Sequence, residues 1–325
     1  MTQQAAGAGP RLGIVLPTRG VVLADGDAPD ALHIVEMARL AEDAGVDSVW
    51  VGDSLFAKPR LEPMAALAAV AIATSRVRLG TSVLLAALRH PVLLAQTAAT
   101  VDLLSEGRLT LAMGVGGAFT ESQQNEWVTS GVDRRTRAAR MEEMVEVMRL
   151  LWSGEPVTFH GEHFDLEAVS LGYRPRQRPG IPILLGTHSG EGRSRQPVRA
   201  AKLADGIISI SDTPEEFAAV RQRVAEEAMS LGHSPGDMSS VYYMTVNLDP
   251  DAERGKEEGV RWVTDYYGLN FWGDRWGPYG DADGVIERIQ RFVAAGADEV
   301  IVRFASYDQP RQLEIFAERV LPAFR

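Results

Sequence analysis

The chain has 325 residues, 45% of them hydrophobic and 24% charged, a composition that supplies a large buried core and argues against extensive disorder. Forty-four acidic against 33 basic side chains give a formal charge of −11, which repels nucleic acid and anionic lipid, and the densest basic stretch, Arg134-Arg135-Thr136-Arg137, runs directly into an acidic helix. With no cysteine there is neither a disulfide framework nor a thiolate metal site. The opening MTQQAAGAGP lacks the charged-then-apolar pattern of a signal peptide, and the longest apolar run, MAALAAVAIA at 64–73, is about half of what a bilayer requires. A soluble, cytoplasmic protein is expected, with neither nucleic acid nor membrane as partner.

In chain order, short apolar strands are expected at 12–17, 48–52, 77–84, 109–114, 182–186, 206–210, 241–248 and 299–303. Helical patterns are expected between and after them, at 30–44, 62–74, 91–104, 136–152, 194–204, 214–231, 283–296 and 310–322. Strand and helix alternate throughout, which argues for the α/β class and a closed (β/α)8 TIM barrel with insertions in its βα loops. Residues 1–10 read as a flexible N-terminus and 11–325 as one catalytic domain. The insertions fall near 115–135, 153–181 and 249–282, each longer than an ordinary connection. Within the last, WVTDYYGLNFWGDRWGPYGD (262–281) carries three of the six Trp and three Tyr, suited to a lid over the barrel mouth or to a subunit contact.

AEDAGVDSVWV (41–51) and VAAGADEVIV (293–302) repeat one helix-to-strand joint, in which Gly45 and Gly296 take the left-handed conformation that ends a helix. AKLADGIISI (201–210) varies it, with Gly206 one place later. In a parallel barrel the chemistry gathers at the carboxyl ends of the strands. Those ends carry small and polar residues here: Gly52-Asp53-Ser54, Ser82-Val83-Leu84, Gly114-Val115-Gly116-Gly117 and Gly186-Thr187-His188-Ser189-Gly190.

The GVGG run lacks the third glycine of a dinucleotide fingerprint, because Phe119 stands there, and no P-loop occurs. The bare backbone suits either a flat ligand or a plain turn. GTHSGEGRSRQ (186–196), with Arg193 and Arg195, suits a phosphate at a helix start or a flexible charged loop. His160 and His163 lie in an expected hairpin and read as structural, and His90 precedes Pro91 at a helix start. Asp53 and His188 are the candidate catalytic residues. No Ser-His-acid or paired-carboxylate arrangement can be assembled from spacing, a pattern that fits a protein leaving the reactive chemistry to a cofactor.

VDSVWVGDS (46–54), VRLGTSVLLAALRHPVLLAQTAATVDLLSEGRLTLAMGVGG (77–117) and TRAARMEEMVEVMRLLWSGEPVTFHGEHF (136–164) together make the chain resemble the bacterial luciferase-like family of flavin- and F420-dependent oxidoreductases. The resemblance implies a barrel holding a flavin or deazaflavin ring at its carboxyl end, with the phosphate tail toward 186–190. It also implies a non-prolyl cis peptide, by position Ser82–Val83, pressing a bulge against the ring. The cofactor contacts it implies are Ser82, Val83, Gly116, Gly117, Gly186, Thr187, His188, Ser189 and Gly190. Arg137, Arg140 and Glu143 match the family's R-x-x-R-x-x-E helix start, read as structural, with a spacing that allows charge pairing. Where many relatives have Asp-His this chain has Asp53-Ser54, and where many have Trp after the strand-4 glycines it has Ala118-Phe119.

The leading expectation is oxygenation of a small organic substrate by reduced FMN and O2, with the reduced FMN supplied by a separate flavin reductase. The alternatives are hydride transfer with coenzyme F420 and a flavin-binding protein without turnover. A homodimer is implied by resemblance alone.

Overall fold

In chain order the elements are β1 (Arg11–Val15), α1 (Gly20–Asp25), α2 (Leu32–Asp43), β2 (Ser48–Val51), α3 (Pro63–Ala73), β3 (Arg78–Leu84), α4 (Pro91–Leu104), β4 (Leu109–Met113), α5 (Glu121–Thr129), α6 (Arg137–Leu151), β5 (Val157–His160), β6 (Asp165–Val169), β7 (Ile183–Gly186), α7 (Arg195–Leu203), β8 (Gly206–Ser209), α8 (Pro214–Ser230), β9 (Ser239–Leu248), α9 (Ala252–Tyr267), β10 (Tyr279–Gly280), α10 (Ala282–Ala294), β11 (Glu299–Phe304) and α11 (Gln309–Ile315). This computed structural model describes residues 9–25, 28–190, 195–234, 236, 238–270, 273–275 and 277–325. Residues 1–8 of the expected flexible N-terminus, and 191–194 with Arg193, lie outside the described residues. No described helix is long and apolar enough to cross a membrane.

The strands β1-β2-β3-β4-β7-β8-β9-β11 pair in parallel around a closed barrel, β11 returning to β1. They are the eight read from the apolar runs, because β-branched stretches between helices bury both faces in a barrel wall. Each long interval has structure of its own. The 115–135 segment holds α5, 153–181 the antiparallel hairpin β5–β6, and 249–282 holds α9 and β10, which pairs in parallel beside the end of β9.

Gly45 (φ 84°) and Gly296 (φ 94°) are left-handed at their joints, as read from the sequence. Gly206 works differently: it is already paired in β8, and a Cβ there would lie 2.3 Å from the Ser239 carbonyl oxygen, so it serves close strand approach and not a helix end. Inside the barrel, Trp50 lies across Gly80, where a Cβ would come within 2.1 Å of the indole, and donates from Nε1 to Ser48 Oγ (2.7 Å).

The first turns of α6 correct the charge-pairing expectation. Arg137 Nε donates to the Gly116 carbonyl (3.3 Å) and Arg140 Nε to that of Ala87 (3.1 Å), while Glu143 accepts from the N–H groups of Glu162 (2.8 Å) and His163 (3.0 Å). Backbone amides and carbonyls of three loops are within reach, so the helix staples those loops to the barrel and its charges do not pair with one another.

Glu42, near the end of α2, makes a comparable grip. Its carboxylate accepts from the N–H groups of Ser75 (2.9 Å), Arg76 (2.6 Å) and Val77 (3.0 Å) at the head of β3. Burial opposes its ionisation, but the amides of Val77, Arg76 and Ser75 outweigh it and hold the pKa down at about 2. A depressed folded pKa means stability that is in force at pH 7 and fades as pH falls from 4.5 toward 2. Glu42→Ala is expected to lose about 1 kcal/mol at pH 7, discounted for partial exposure. In denaturant titrations the deficit should shrink at acid pH, and one that stays constant would exclude the carboxylate as its source.

Candidate active site

The carboxyl ends of the strands open on a cavity of about 190 Å³. Its floor is shaped at the end of β3. Ser82 pairs with Ala112 and Leu84 with Met113, leaving Val83 as an extra residue that bulges inward, and the Ser82–Val83 peptide is cis, as the resemblance implies. Behind the bulge, a Cβ at position 114 would lie 2.7 Å from Val83 Cγ2, so the chain there must be Gly114. Ser82 Oγ is buried at this wall with no hydrogen-bond partner among the described residues. A buried polar atom without a partner is costly unless something else meets it.

Asp53, just beyond β2, lines the same cavity with a fully buried side chain. Arg89 holds it from two sides (Nη1 to Oδ2 2.5 Å, Nη2 to Oδ1 3.0 Å), and Oδ2 also accepts from Leu85 N–H (2.8 Å). It therefore clamps the segment following the Val83 bulge.

Glu126, from α5, is buried against the cavity and accepts at Oε1 from Ser54 Oγ (2.6 Å) and from the N–H groups of Phe56 and Ala57 (2.9 Å each). It shapes the loop that brings Lys58 and Arg60 to the mouth. The Lys58 ammonium sits 4.2 Å from the Tyr267 ring centre. Burial, reinforced by Arg60, Arg19 and Arg303 and opposed by Glu126, lowers its pKa to about 8.

Opposite stand Tyr243 of β9 and Tyr266 and Tyr267 at the end of α9. Arg19 fixes this wall by donating to the Tyr266 carbonyl (3.0 Å) and to that of Pro59 (3.2 Å). Behind it the buried Arg303 faces the rings of Tyr243, Trp262, Tyr266 and Tyr267 and donates to Thr245 Oγ1 (2.7 Å) and to the Tyr267 hydroxyl. The aromatic-rich insertion thus forms a wall of the mouth through its first part.

Of the residues read from the sequence, Asp53, Ser82, Val83 and Gly117 meet at the cavity. Gly116 stands behind it, where a Cβ would lie 2.9 Å from the Trp127 ring. Gly186, Thr187, His188, Ser189 and Gly190 lie outside the lining. In that loop Asp212 accepts from the N–H (3.1 Å) and hydroxyl (2.9 Å) of Ser189, and His188 Nδ1 faces Ser209 Oγ (3.3 Å). A carboxylate of the chain thus meets donors that an anion would seek. Lys58, Arg60, Glu126 and the three tyrosines were not singled out by the sequence reading. Their signals, KPR after β2, NEW inside 115–135 and YY inside 262–281, become chemical only once the loops converge.

A closed barrel whose strand tips frame a bulged, small-residue floor under a polar and aromatic mouth is the architecture of a (β/α)8 enzyme. The chain belongs to the luciferase-like monooxygenase family, whose model matches residues 11–274, and is an oxidoreductase. It is 30% identical over 325 residues to the F420-dependent glucose-6-phosphate dehydrogenase of Nocardia farcinica, covering 90% of this chain and 94% of the relative. Among solved structures, an F420-dependent secondary alcohol dehydrogenase in complex with an F420-acetone adduct superposes with a TM-score of 0.81 at 23% identity, covering 98% of this chain and 99% of that one. The monooxygenase RslO1 from Streptomyces bottropensis superposes equally, at 0.81 and 24% identity over 97% and 100% of the two chains. At these identities the superpositions show the shared fold.

Proposed function

We propose that this chain is an F420-dependent oxidoreductase that moves a hydride between the coenzyme and a small organic substrate in the cavity at the strand tips. The observation that carries this reading is the full-length similarity to F420-dependent dehydrogenases, 30% identity over 90% of the chain, combined with a floor that fits a flat ring. It reverses the order taken from the sequence, in which reduced FMN and O2 came first.

When bound, the coenzyme would supply the hydride-accepting or hydride-donating ring. The chain's own residues do the rest. Val83 and the bare backbone at Gly117 give a ring a surface to lie on, and Ser82 Oγ offers a hydrogen bond inside the wall. Tyr243, Tyr266 and Tyr267 keep water from the opposite side. Asp53 holds the bulge through Leu85 and Arg89, a positioning role. His188, read as a catalytic candidate, is given an anchoring role in the Ser209–Asp212 network. A homodimer belongs to the same reading and is checked by light scattering.

Reduced FMN with O2 and a separate flavin reductase is the second reading, favoured by the match to the luciferase-like monooxygenase family. Titrating the purified protein with F420, FMN and reduced FMN, followed by cofactor fluorescence and O2 uptake, separates the readings. F420 is expected to bind at least about tenfold more tightly than either flavin state, with no O2 consumption. Preferred binding of reduced FMN with O2 uptake would return the oxygenase to first place, and flavin binding without turnover of any donor would support the non-catalytic alternative.

A further inference from the structure

In a chain of formal charge −11, two cations line the cavity beside the carboxylates of Asp53 and Glu126. Lys58 and Arg60 line it half-buried, and neither forms an ion pair among the described residues, the neighbouring carboxylates of Asp53 and Glu62 being taken by Arg89. The Arg60 guanidinium lies over bare Gly52, where a Cβ would come within 2.2 Å of Nη1, and Arg60 Nε donates to the Lys58 carbonyl (3.2 Å). Arg19 and Arg303 stand behind the facing tyrosines. Glu126 acts on Lys58 but is turned onto Ser54 and the N–H groups of Phe56 and Ala57, so two cations held together with no ion pair of their own, in partial burial, are arranged to receive an anion.

The remaining lining says which kind. Several acceptors of the lining are already engaged. Both Asp53 oxygens are engaged, Ser54 is held between Glu126 and the Lys58 N–H, and Gln123 Oε1 accepts from the N–H groups of Phe119 and Thr120. A sugar would have to draw on the hydroxyls of Thr18, Ser82 and the tyrosines. Tyr266 and Tyr267 instead present aromatic surface beside the cations, suited to a flat apolar body.

We propose that Lys58 and Arg60 form the recognition site for the carboxylate of a planar, unsaturated or aromatic acid, whose body packs against Tyr266 and Tyr267. This names the substrate class of the cavity and rests on the hydride-transfer reading for its function, though the binding it asserts is measurable alone. The groups facing Lys58 are Arg60 on its own loop, Arg19 beyond β1, Arg303 of β11, Tyr267 of α9 and Glu126 of α5. With the Lys58 pKa at about 8, the ammonium is largely charged at pH 7 and carboxylate affinity falls as pH rises past 8.

The test is calorimetric titration of the purified full-length chain with benzoate, benzyl alcohol, inorganic phosphate and glucose 6-phosphate, alongside fluorescence titration with F420. Benzoate is expected to bind at least about tenfold more tightly than each of the other three small ligands, and its affinity to drop above pH 8. Lys58→Gln and Arg60→Gln should each weaken benzoate by about tenfold and leave benzyl alcohol and F420 within about twofold, with Lys58→Arg restoring benzoate. Thermal unfolding of all variants checks the fold, and Lys58→Arg keeps the question answerable if a glutamine variant is unstable. Equal binding of benzoate and benzyl alcohol overturns the proposal. So does preference for glucose 6-phosphate or inorganic phosphate, or loss of F420 affinity in place of benzoate affinity, which would assign the cations to the cofactor. Benzoate selectivity without F420 binding would uphold this site and overturn the F420 reading.

Discussion

Asp53→Ala is expected to lower the unfolding free energy by about 3 kcal/mol, the lower end of what breaking a buried ion pair costs. The Asp53 side chain is fully buried, Arg89 is mostly so, and the pair is two-pronged, so alanine leaves a guanidinium facing a desolvated gap. The loss sits at the low end because Arg89 keeps Glu62 at 3.1 Å. Removing the carboxylate also strands the Leu85 N–H, two residues past the bulge, so cofactor affinity should fall together with stability. Asp53→Asn retains an acceptor for Leu85 and should lose less of both. The double variant Asp53→Ala, Arg89→Met should recover part of the deficit, since no unpaired charge remains. A proton carrier would behave otherwise: Asp53→Asn would then reduce kcat and reshape the pH profile while leaving denaturant midpoints unchanged. An Asp53→Ala deficit below about 1 kcal/mol would exclude the anchoring role.

Why the barrel could be read from the sequence and the cavity only in part follows from where each signal resides. A strand such as Val300–Val302 announces itself through consecutive β-branched residues, and Gly45 and Gly296 through a local φ requirement, so neither depends on distant chain. Ser82, Val83 and Gly117 lie at strand tips, which the alternation itself sets, and it is the family resemblance that implies them as cofactor contacts. Lys58, Glu126 and Tyr266 follow no period. They come from three separate segments, the loop after β2 and two of the insertions, and gain meaning only when Glu126 fixes the 54–57 loop and Arg19 fixes the carbonyl of Tyr266.

The 186–190 loop carries a contact of the same non-local kind. Glycines and hydroxyls before a helix read as a phosphate cradle, but Asp212, after the next strand, turns its carboxylate onto Ser189 and Ser209. No local pattern shows that a donor is already spoken for. The 252–267 helix was also missed, since its apolar face, Trp262, Val263 and Tyr266, is short and was absorbed into an interval read only for its aromatic content.

The largest effect on binding is expected at Gly114. Valine there would bring a Cβ within 2.7 Å of Val83 Cγ2 and 3.6 Å of Val83 Cβ, with two further methyl groups to place. The backbone cannot retreat easily, because Gly114 N–H donates to the Leu84 carbonyl at 3.0 Å and the strand behind is paired with β7. Val83, the residue the register already leaves unpaired, is therefore the part that yields, and its free direction is into the cavity. Overpacking of this kind costs about 1–3 kcal/mol in stability. The loss of F420 affinity should be larger, about 100-fold, since a displaced isopropyl group occupies the surface on which a flat ring would rest. Gly114→Ala should give a smaller loss of the same kind. Adding Val83→Ala to Gly114→Ala removes the clashing methyl groups, so the double variant should bind F420 better than Gly114→Ala alone. Rescue of binding and stability together would locate the defect at the Val83–Gly114 contact. Unchanged F420 affinity in Gly114→Val, with the fold intact by thermal unfolding, would detach the bulge from cofactor binding.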